Sequence, residues 1–375
     1  MPEIFQPFYL ATFAFFFFIS LIIHFILRIL FKRLNIVDKP DGIKKRHKKH
    51  VPISGGISLV VSLIVIILVY LLFSYSQILE TLFEKERLKF TSLTVDIRTA
   101  LLIGFTGLIV AAVSFFDDVL ELPVWFRFMT LILCSGIVIG VSDLSLTSLG
   151  DLAGFGEIKL NAFFGTAFTI FCIVGVANAF NWIDGLDGLF SIQSLLAFFG
   201  LFFFIGGNGL FLILVLLAFL PYLLMNLGFF GKRNIVFIGD HGAMAVGYTI
   251  AWLLVSAAEF GSLNPITAPW IIGLVLLNSL RVMFKRFLQG ASLFRSDREH
   301  IHHFFLDHGF SKTKSLLIIT AISFFLTGTG ILLEITKMPE SLSFYFFIAA
   351  FLLWGFISFN LKKTFSRLKF NELRK

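Results

Sequence analysis

Ala100–Asp118 reads ALLIGFTGLIVAAVSFFDD, an uncharged apolar run of 17 residues followed by two adjacent aspartates. A helix needs about 20 apolar residues, within a range of roughly 17–25, to cross the hydrocarbon core of a bilayer. The run is continuous, whereas the strands of a membrane β-barrel alternate apolar and polar residues. The stretch therefore predicts a transmembrane helix with a pair of carboxylates at one end.

Runs of this kind recur along the chain, in which 57% of the 375 residues are hydrophobic and 14% are charged. An average soluble domain has about 25% charged residues, so the soluble and disordered classes are excluded. The two cysteines both lie in apolar runs, which excludes a disulfide framework. The sequence predicts an all-α integral membrane protein with about 10–11 transmembrane helices in a single polytopic domain over residues 1–375. The eleven candidate spans are Phe8–Leu30, Ile57–Phe73, Ala100–Phe116, Val124–Val141, Ala162–Ala177, Leu189–Ile205, Leu210–Leu227, Ala243–Ala258, Ala268–Phe284, Leu316–Leu333 and Phe344–Phe359.

Lysine and arginine indicate the orientation of such a bundle, because cytoplasmic segments carry an excess of both. With the N-terminus outside and the C-terminus in the cytoplasm, 23 of the 31 lie in inner segments and six in outer segments. Arg28 and Arg127 lie near the inner ends of spans, where long side chains can snorkel towards the headgroups. The predicted cytoplasmic loops cover about residues 31–56, 117–123, 178–188, 228–242 and 285–313.

These inner loops hold nearly all of the chemically informative residues. One begins with Asp117-Asp118, two carboxylates whose mutual repulsion a cation would relieve. The next reads NAFNWIDGLDG over residues 178–188, with a polar residue at every third position. Such a stripe drifts around an ideal helix, so a break at Gly185 and Gly188 is needed for the side chains to converge. Two later loops contain IGDHG at 238–242 and REHIHH at 298–303.

Together these residue types suit the transfer of a phosphoryl group. Carboxylates bind a hard divalent cation through oxygen, and Mg²⁺ usually keeps one or two protein ligands together with phosphate oxygens. Cationic and histidine side chains, such as those of DKPDGIKKRHKKH at residues 38–50, would compensate the remaining phosphate charges. Positioning and charge neutralisation do most of the catalysis in such reactions.

Each segment also has an ordinary structural explanation that the spacing alone leaves open. The aspartate pair can be a solvated helix end, the glycine-rich loop a plain turn, and Asp240 an N-cap. The histidines can bind zinc, although no second ligand pair stands at a familiar spacing, or can belong to a basic helix in the membrane interface.

In four motifs the chain resembles the polyprenyl-phosphate N-acetylhexosamine-1-phosphate transferases, which include the MraY-, WecA- and TagO-type enzymes. The similarity covers roughly residues 35–312, and its motifs are Asp117-Asp118, the loop at 178–188, Gly239-Asp240-x-Gly242 and the histidines at 300–303. The resemblance implies transfer of a sugar 1-phosphate from a UDP-sugar to undecaprenyl phosphate, with release of UMP. It implies Mg²⁺ as cofactor, with Mn²⁺ as a substitute.

The histidine motif is similar to that of the WecA and TagO types, which implies N-acetylglucosamine 1-phosphate as the transferred group. Another UDP-N-acetylhexosamine is the alternative. The enzyme would start a lipid-linked cell-envelope glycan, such as O-antigen, common antigen, teichoic acid or capsule. It would lie in the bacterial inner membrane with its active site facing the cytoplasm, and it is expected to form a homodimer and to bind no nucleic acid.

The resemblance also implies roles for single residues. Asp117 and Asp118 would act near the lipid phosphate, and Asp184 and Asp187 near the nucleotide. The expected catalytic residues are Asp117, Asp118, Asp184 and Asp187, the expected Mg²⁺ ligands are Asp240 and Asn181, and the expected substrate-binding residues are Arg46, His47, Asn178, Arg298, His300, His302 and His303.

Three positions depart from the family pattern. Ala243 stands where serine is usual, Asn278 where WecA-type members tend to have aspartate, and Glu121 where shorter residues are common. These departures keep an inactive scaffold open as one alternative. An ion-coupled transporter is the other, since His24 lies well inside a predicted span, where ionisable groups are costly and often functional.

Overall fold

The computed structural model describes residues 7–40, 50–75, 96–205, 209–290, 292 and 300–372, and these are almost entirely helical. Two short strands, β1 (Val37–Asp38) and β2 (Val51–Pro52), pair antiparallel. The helices are α1 (Pro7–Arg33), α2 (Gly55–Tyr75), α3 (Ile97–Leu120), α4 (Val124–Ser142), α5 (Ala162–Ile183), α6 (Leu189–Ile205), α7 (Gly209–Asn226), α8 (Gly239–Glu259), α9 (Thr267–Ile271), α10 (Gly273–Leu288), α11 (Ile301–Asp307), α12 (Lys312–Ile335) and α13 (Glu340–Glu372).

Seven of the helices are long and apolar enough to cross a membrane, namely α1, α3, α4, α5, α8, α12 and the first part of α13. Shorter apolar helices lie within α2, α6 and α7. The chain is therefore an all-α, multi-pass membrane protein, as predicted. The total of about 10–11 spans, the single domain and the orientation stay predictions.

The predicted span Ala268–Phe284 is wrong as one continuous helix. The chain leaves the α conformation at Ile272, where φ is −101° and ψ is 25°, so that α9 and α10 are separate helices. Apolar composition predicted a helical segment here, but composition carries no information on a single non-helical residue.

Helix α8 forms the centre of the bundle. In its most apolar window 83% of the residues are buried, against 17–44% in the other six long helices. Small residues permit this enclosure: a Cβ on Gly247 would lie only 2.9 Å from the Cα of Ala177 on α5. The mean hydropathy of α8 is the lowest of the seven long helices. This agrees with its central position, because its side chains face protein rather than lipid.

The start of α2 packs directly against the start of α8. The N–H groups of Gly55 and Gly56 donate to the carbonyls of Phe237 and Ile238, each at 2.9 Å. The N–H of Phe237 donates in turn to the carbonyl of Pro52 at 3.0 Å. These bonds fix the loop that carries Gly239-Asp240 against the end of the first inner loop.

At the opposite end of the bundle the acidic side chains hold loops in place. Glu259 accepts two hydrogen bonds from Thr147, both at 2.8 Å, and Glu340 accepts one from the backbone of Asp151 at 2.7 Å. The carboxylates at this end therefore have a structural role, which is to hold loops against the helix ends.

The contact between α2 and α8 makes Gly56 a sensitive position. A Cβ there would lie 2.7 Å from the backbone nitrogen of Gly242 and would meet its Cα. We expect Gly56→Ala to destabilise the protein by about 1–3 kcal/mol, as overpacking does, and to lower the thermal midpoint in detergent. Gly104→Ala is the matched control, because a Cβ on Gly104 would have no neighbour within 4 Å. Equal midpoints for the two variants would contradict the close approach.

Candidate active site

Asp118, in the last turn of α3, accepts three hydrogen bonds from the first turn of α8. The backbone N–H groups of Asp240 and His241 donate to its carboxylate at 3.2 Å and 3.3 Å, and the Nδ1 of His241 donates at 2.6 Å. The first N–H groups of a helix lack intrahelical acceptors and carry the positive end of the helix dipole, so they favour an anionic partner. Gly239, at φ +74°, permits this approach. Asp118 thereby fixes α8 against α3.

Arg127, in the first turn of α4, bridges the carboxylates of Asp117 and Asp240. Its Nη1 lies 3.1 Å from Oδ2 of Asp117 and also contacts Oδ2 of Asp240. Arg127, predicted only to lie near the inner end of a span where it can snorkel, thus has two carboxylates as partners. The short connection between α3 and α4 was the one sequence feature that placed this arginine beside the aspartate pair.

Asn181 also lies beside the carboxylate of Asp240. The structure therefore brings together the two residues predicted as Mg²⁺ ligands, although their role as ligands stays a prediction. Asn181 is on α5, so three helices, α3, α5 and α8, contribute polar side chains to one place.

The chain turns away from the helix just before Gly185, so the first six residues of the predicted loop at 178–188 are helical. Helix α5 ends at Ile183, and Asp184 follows with φ −76° and ψ 64°. Gly188 has φ +84°, and its N–H donates to Oδ1 of Asn226 at 2.5 Å. The Nζ of Lys312, from the start of α12, lies 2.8 Å from Oδ2 of Asp187. The break brings Asp184 and Asp187 to the same end of the bundle as Asp240.

Burial raises the pKa of the Asp184 carboxyl from 3.8 to about 8, and the neighbouring Asp240 and Asp187 act in the same direction. Removal from water and repulsion by other carboxylates both disfavour the charged form. Asp184 is therefore protonated at neutral pH until a cation lowers the cost of its ionisation.

The histidine motif packs on this loop. A Cβ on Gly185 would lie 2.8 Å from Cδ2 of His302 and would meet its Nε2, so the ring lies directly against the glycine. The rings of His300 and His302 are parallel, with centroids 6.0 Å apart. Trp182 connects the motif to α10, since its ring lies 6.1 Å from that of His300 and under the guanidinium of Arg286 at 5.6 Å.

His303 joins the motif, since its ring centroid lies 4.2 Å from that of His302. The other predicted residues are not brought into this cluster by a described contact. Asn178 is buried and its amide donates to the carbonyl of Val174 in its own helix at 2.8 Å. Arg46, His47 and Arg298 lie outside the described residues. The side chains that sequence reasoning missed as members of the cluster are Arg127, Trp182, Asn226, Arg286 and Lys312.

The donor set of the cluster suits a divalent cation that arrives with phosphate. In the part of the chain that the structure describes, no three His, Cys, Asp or Glu side chains form a ready metal cluster. Asp240, however, has the amide of Asn181 beside it and a side chain that is 41% exposed. Mg²⁺ needs only one or two such oxygen ligands when phosphate supplies others. The carboxylates of Asp117, Asp118, Asp187 and Asp240 stand beside only two lysine or arginine partners among the described ion pairs, Arg127 and Lys312.

Comparison with known proteins assigns the family. The sequence model of glycosyl transferase family 4 matches residues 100–258. The undecaprenyl-phosphate alpha-N-acetylglucosaminyl 1-phosphate transferase of Escherichia coli O157:H7 is 32% identical over 344 residues, which cover 88% of this chain and 86% of that protein. The chain belongs to glycosyl transferase family 4. Family members of the same name from Yersinia pestis and Pasteurella multocida are 31% identical over 348 and 354 residues, covering 91% and 90% of this chain and 88% and 92% of their own.

The family match coincides with the structural centre of the site. Residues 100–258 include nearly all of α3, the whole of α4 to α7 and nearly all of α8, and thus three of the four motifs. The resemblance inferred from the motifs is confirmed at the level of the family. The roles of the individual residues stay predictions.

The raised pKa of Asp184 makes stability depend on pH. Between pH 3.8 and about 8 the folded protein keeps a proton that the unfolded chain has lost, so this group lowers stability as pH rises through that interval. Asp184→Asn, which resembles the protonated carboxyl, should therefore exceed the wild type in thermal midpoint by a margin that grows up to about pH 8 and is constant above it. The measurement is thermal unfolding in detergent across pH, and equal margins at about pH 5 and about pH 8 would contradict the raised pKa.

Proposed function

We propose that this protein transfers N-acetylglucosamine 1-phosphate from UDP-N-acetylglucosamine to undecaprenyl phosphate, releases UMP, and requires Mg²⁺. The observation that carries the proposal is the meeting of carboxylates from α3, α8 and the loop after α5 with the histidine motif at one end of an apolar bundle. Relatives that align with most of the chain are named as undecaprenyl-phosphate transferases of this kind, which supports the acceptor and the sugar.

In the proposed reaction an oxygen of the lipid phosphate attacks the phosphorus that carries the sugar. A new phosphorus–oxygen bond forms there, and the bond from this phosphorus to the bridging oxygen breaks as UMP leaves. A lipid phosphate is already ionised at neutral pH, so the attack needs little help from a base. The bound Mg²⁺ would neutralise charge on the pyrophosphate and stabilise the leaving group.

The side chains of this chain would position both substrates. Asp240 and Asn181 would hold the cation, and Arg127 keeps Asp240 beside Asp117. The guanidinium also places a positive charge where three phosphate groups must approach one another. Asp118 is engaged with the start of α8 and would act by holding Asp240 in place.

The histidine motif would bind the donor. The ring of His302 lies against Gly185 next to Asp184, so a nucleotide sugar near that loop would be within reach of the imidazoles. Donor recognition here, rather than at the lipid phosphate, is what would select the sugar. Another UDP-N-acetylhexosamine remains the alternative donor, and a panel of UDP-sugars decides between them.

A transporter has no comparable support. His24 is buried between α1 and α2, where its Nδ1 bonds the carbonyl of Ser20 at 2.9 Å and lies 3.4 Å from Oγ of Ser62. This is a hydrogen-bonded contact between helices. The other ionisable side chains described above lie at the two ends of the bundle, and a translocation path needs them near the midplane.

The site end of the bundle is proposed to face the cytoplasm of a bacterial inner membrane, which is where nucleotide sugars are made. In a variant without Cys134 and Cys172, single cysteines at Lys48, Asp187 and Lys363 should be protected from an impermeant reagent in intact cells. A cysteine at Ser262 should react. Labelling at Asp187 from outside would overturn the proposed orientation.

The proposed requirement for Mg²⁺ is tested by removing the negative charge of Asp240. Asp240→Asn should abolish turnover of UDP-N-acetylglucosamine and labelled undecaprenyl phosphate while the protein stays folded, because a neutral amide is a poor ligand for a hard cation. EDTA should stop the wild type, and Mg²⁺ or Mn²⁺ should restore it.

Asp143→Asn is the matched control for this change. It is also an aspartate-to-amide substitution, but it lies at the opposite end of the bundle at φ +55°, where asparagine is well tolerated. Its turnover should equal that of the wild type. Full activity of Asp240→Asn, or of the wild type in EDTA, would refute the metal-dependent mechanism.

A further inference from the structure

Asn278 connects helix α10 to the histidine motif through both atoms of its amide. The residue is completely buried, and its Oδ1 accepts the backbone N–H of Ile301 at 2.9 Å. Its Nδ2 lies 3.1 Å from Nδ1 of His300. One side chain thus contacts the first residue of α11 and the imidazole just before it.

These two contacts together fix which nitrogen of His300 carries its proton. A backbone N–H can only donate, so the atom of Asn278 that faces Ile301 must be the oxygen. The amide nitrogen then faces His300, and it carries hydrogens and no acceptor lone pair. Nδ1 of His300 must therefore accept, which leaves the proton of a neutral ring on Nε2.

The surroundings of His300 agree with a neutral ring. The residue is only 7% exposed, and the neighbours of its ring include Asn278, the aromatic ring of Trp182 and the parallel ring of His302. Arg286 lies on Trp182, so a cation is already present behind that ring. A second positive charge in this buried place would be disfavoured.

We propose that Asn278 is a positioning residue that holds His300 as a neutral imidazole with its proton on Nε2, so that the ring offers one N–H donor to an anionic oxygen of the substrate. The assignment of the proton stands on the geometry of this chain alone. Its consequence for the substrate rests on the proposed function.

Asparagine and aspartate have nearly the same shape, which makes Asn278→Asp a direct test. A carboxylate can still accept from the N–H of Ile301, so the start of α11 keeps its bond. Its second oxygen can only accept, so Nδ1 of His300 must become protonated. If Asn278 served only to hold Ile301, the substitution would leave His300 unchanged.

The measurement is ¹⁵N NMR of the full-length protein, with histidines labelled in both ring nitrogens, at neutral pH. The chain has eight histidines, and the signals of His300 are assigned by their loss in His300→Gln. In the wild type we expect a pyridine-type signal for Nδ1 and a pyrrole-type signal for Nε2. In Asn278→Asp the pyridine-type signal of Nδ1 should disappear.

His308 provides an internal contrast. Its Nδ1 lies 2.6 Å from the carbonyl oxygen of Phe304, which can only accept, so this ring carries a proton on Nδ1. A protonated Nδ1 on His300 of the wild type would overturn the proposal, as would unchanged His300 signals in Asn278→Asp. If Asn278→Asp fails to fold, the wild-type spectrum alone still shows which ring nitrogen of His300 carries the proton.

Steady-state kinetics test the role of the donor N–H. In His300→Gln the side-chain oxygen can accept from Asn278 while the amide nitrogen donates, so kcat/KM for the UDP-sugar should stay within about tenfold of the wild type. His300→Leu has no donor and should lose at least about tenfold relative to His300→Gln, with the KM for undecaprenyl phosphate unchanged. Equal values for the two variants would contradict the role in donor binding. Absence of transferase activity in the wild type would refute the proposed function and leave the NMR result standing.

Discussion

The attachment of Asp118 to the start of α8 is the interaction on which the site depends. A carboxylate at the end of one apolar helix accepts the unpaired N–H groups and the imidazole at the start of another. The bond satisfies groups that would be costly to bury alone, and it places Asp240 opposite α5. The close contact of Gly56 with Gly242 and the bridge from Arg127 to Asp117 and Asp240 both require α8 to begin at this place.

The same arrangement concentrates negative charge in a partly buried volume. Arg127 and Lys312 offset part of this charge, and Asp184 avoids adding to it by keeping its proton. This charge and the small number of protein ligands suit the proposed Mg²⁺, which would bring phosphate oxygens as its other ligands. The excess negative charge of the site is therefore what the cation of the proposed reaction would neutralise.

Much of this could be predicted from the sequence. Continuous apolar runs gave the helical membrane class, and the stripe at 178–188 with its glycines predicted the break after α5. Spacing could not reveal contacts between distant segments: Arg127 and Asp240 are 113 residues apart and each had an adequate local explanation. The separation of α9 from α10 depends on one backbone conformation at Ile272, which hydropathy does not encode. The sequence showed Asn278 only as a departure from the family pattern. Its proposed role depends on a hydrogen bond to His300, which spacing does not reveal.

The central claim is that the carboxylate cluster binds a divalent cation together with the donor pyrophosphate. Electron paramagnetic resonance of Mn²⁺ tests it most directly, with purified protein titrated in the presence and absence of UDP-N-acetylglucosamine. The account predicts that Mn²⁺ binds tightly only with the nucleotide sugar, and that the bound ion shows coupling to ³¹P. Equally tight binding without the sugar, or bound Mn²⁺ without ³¹P coupling, would contradict it.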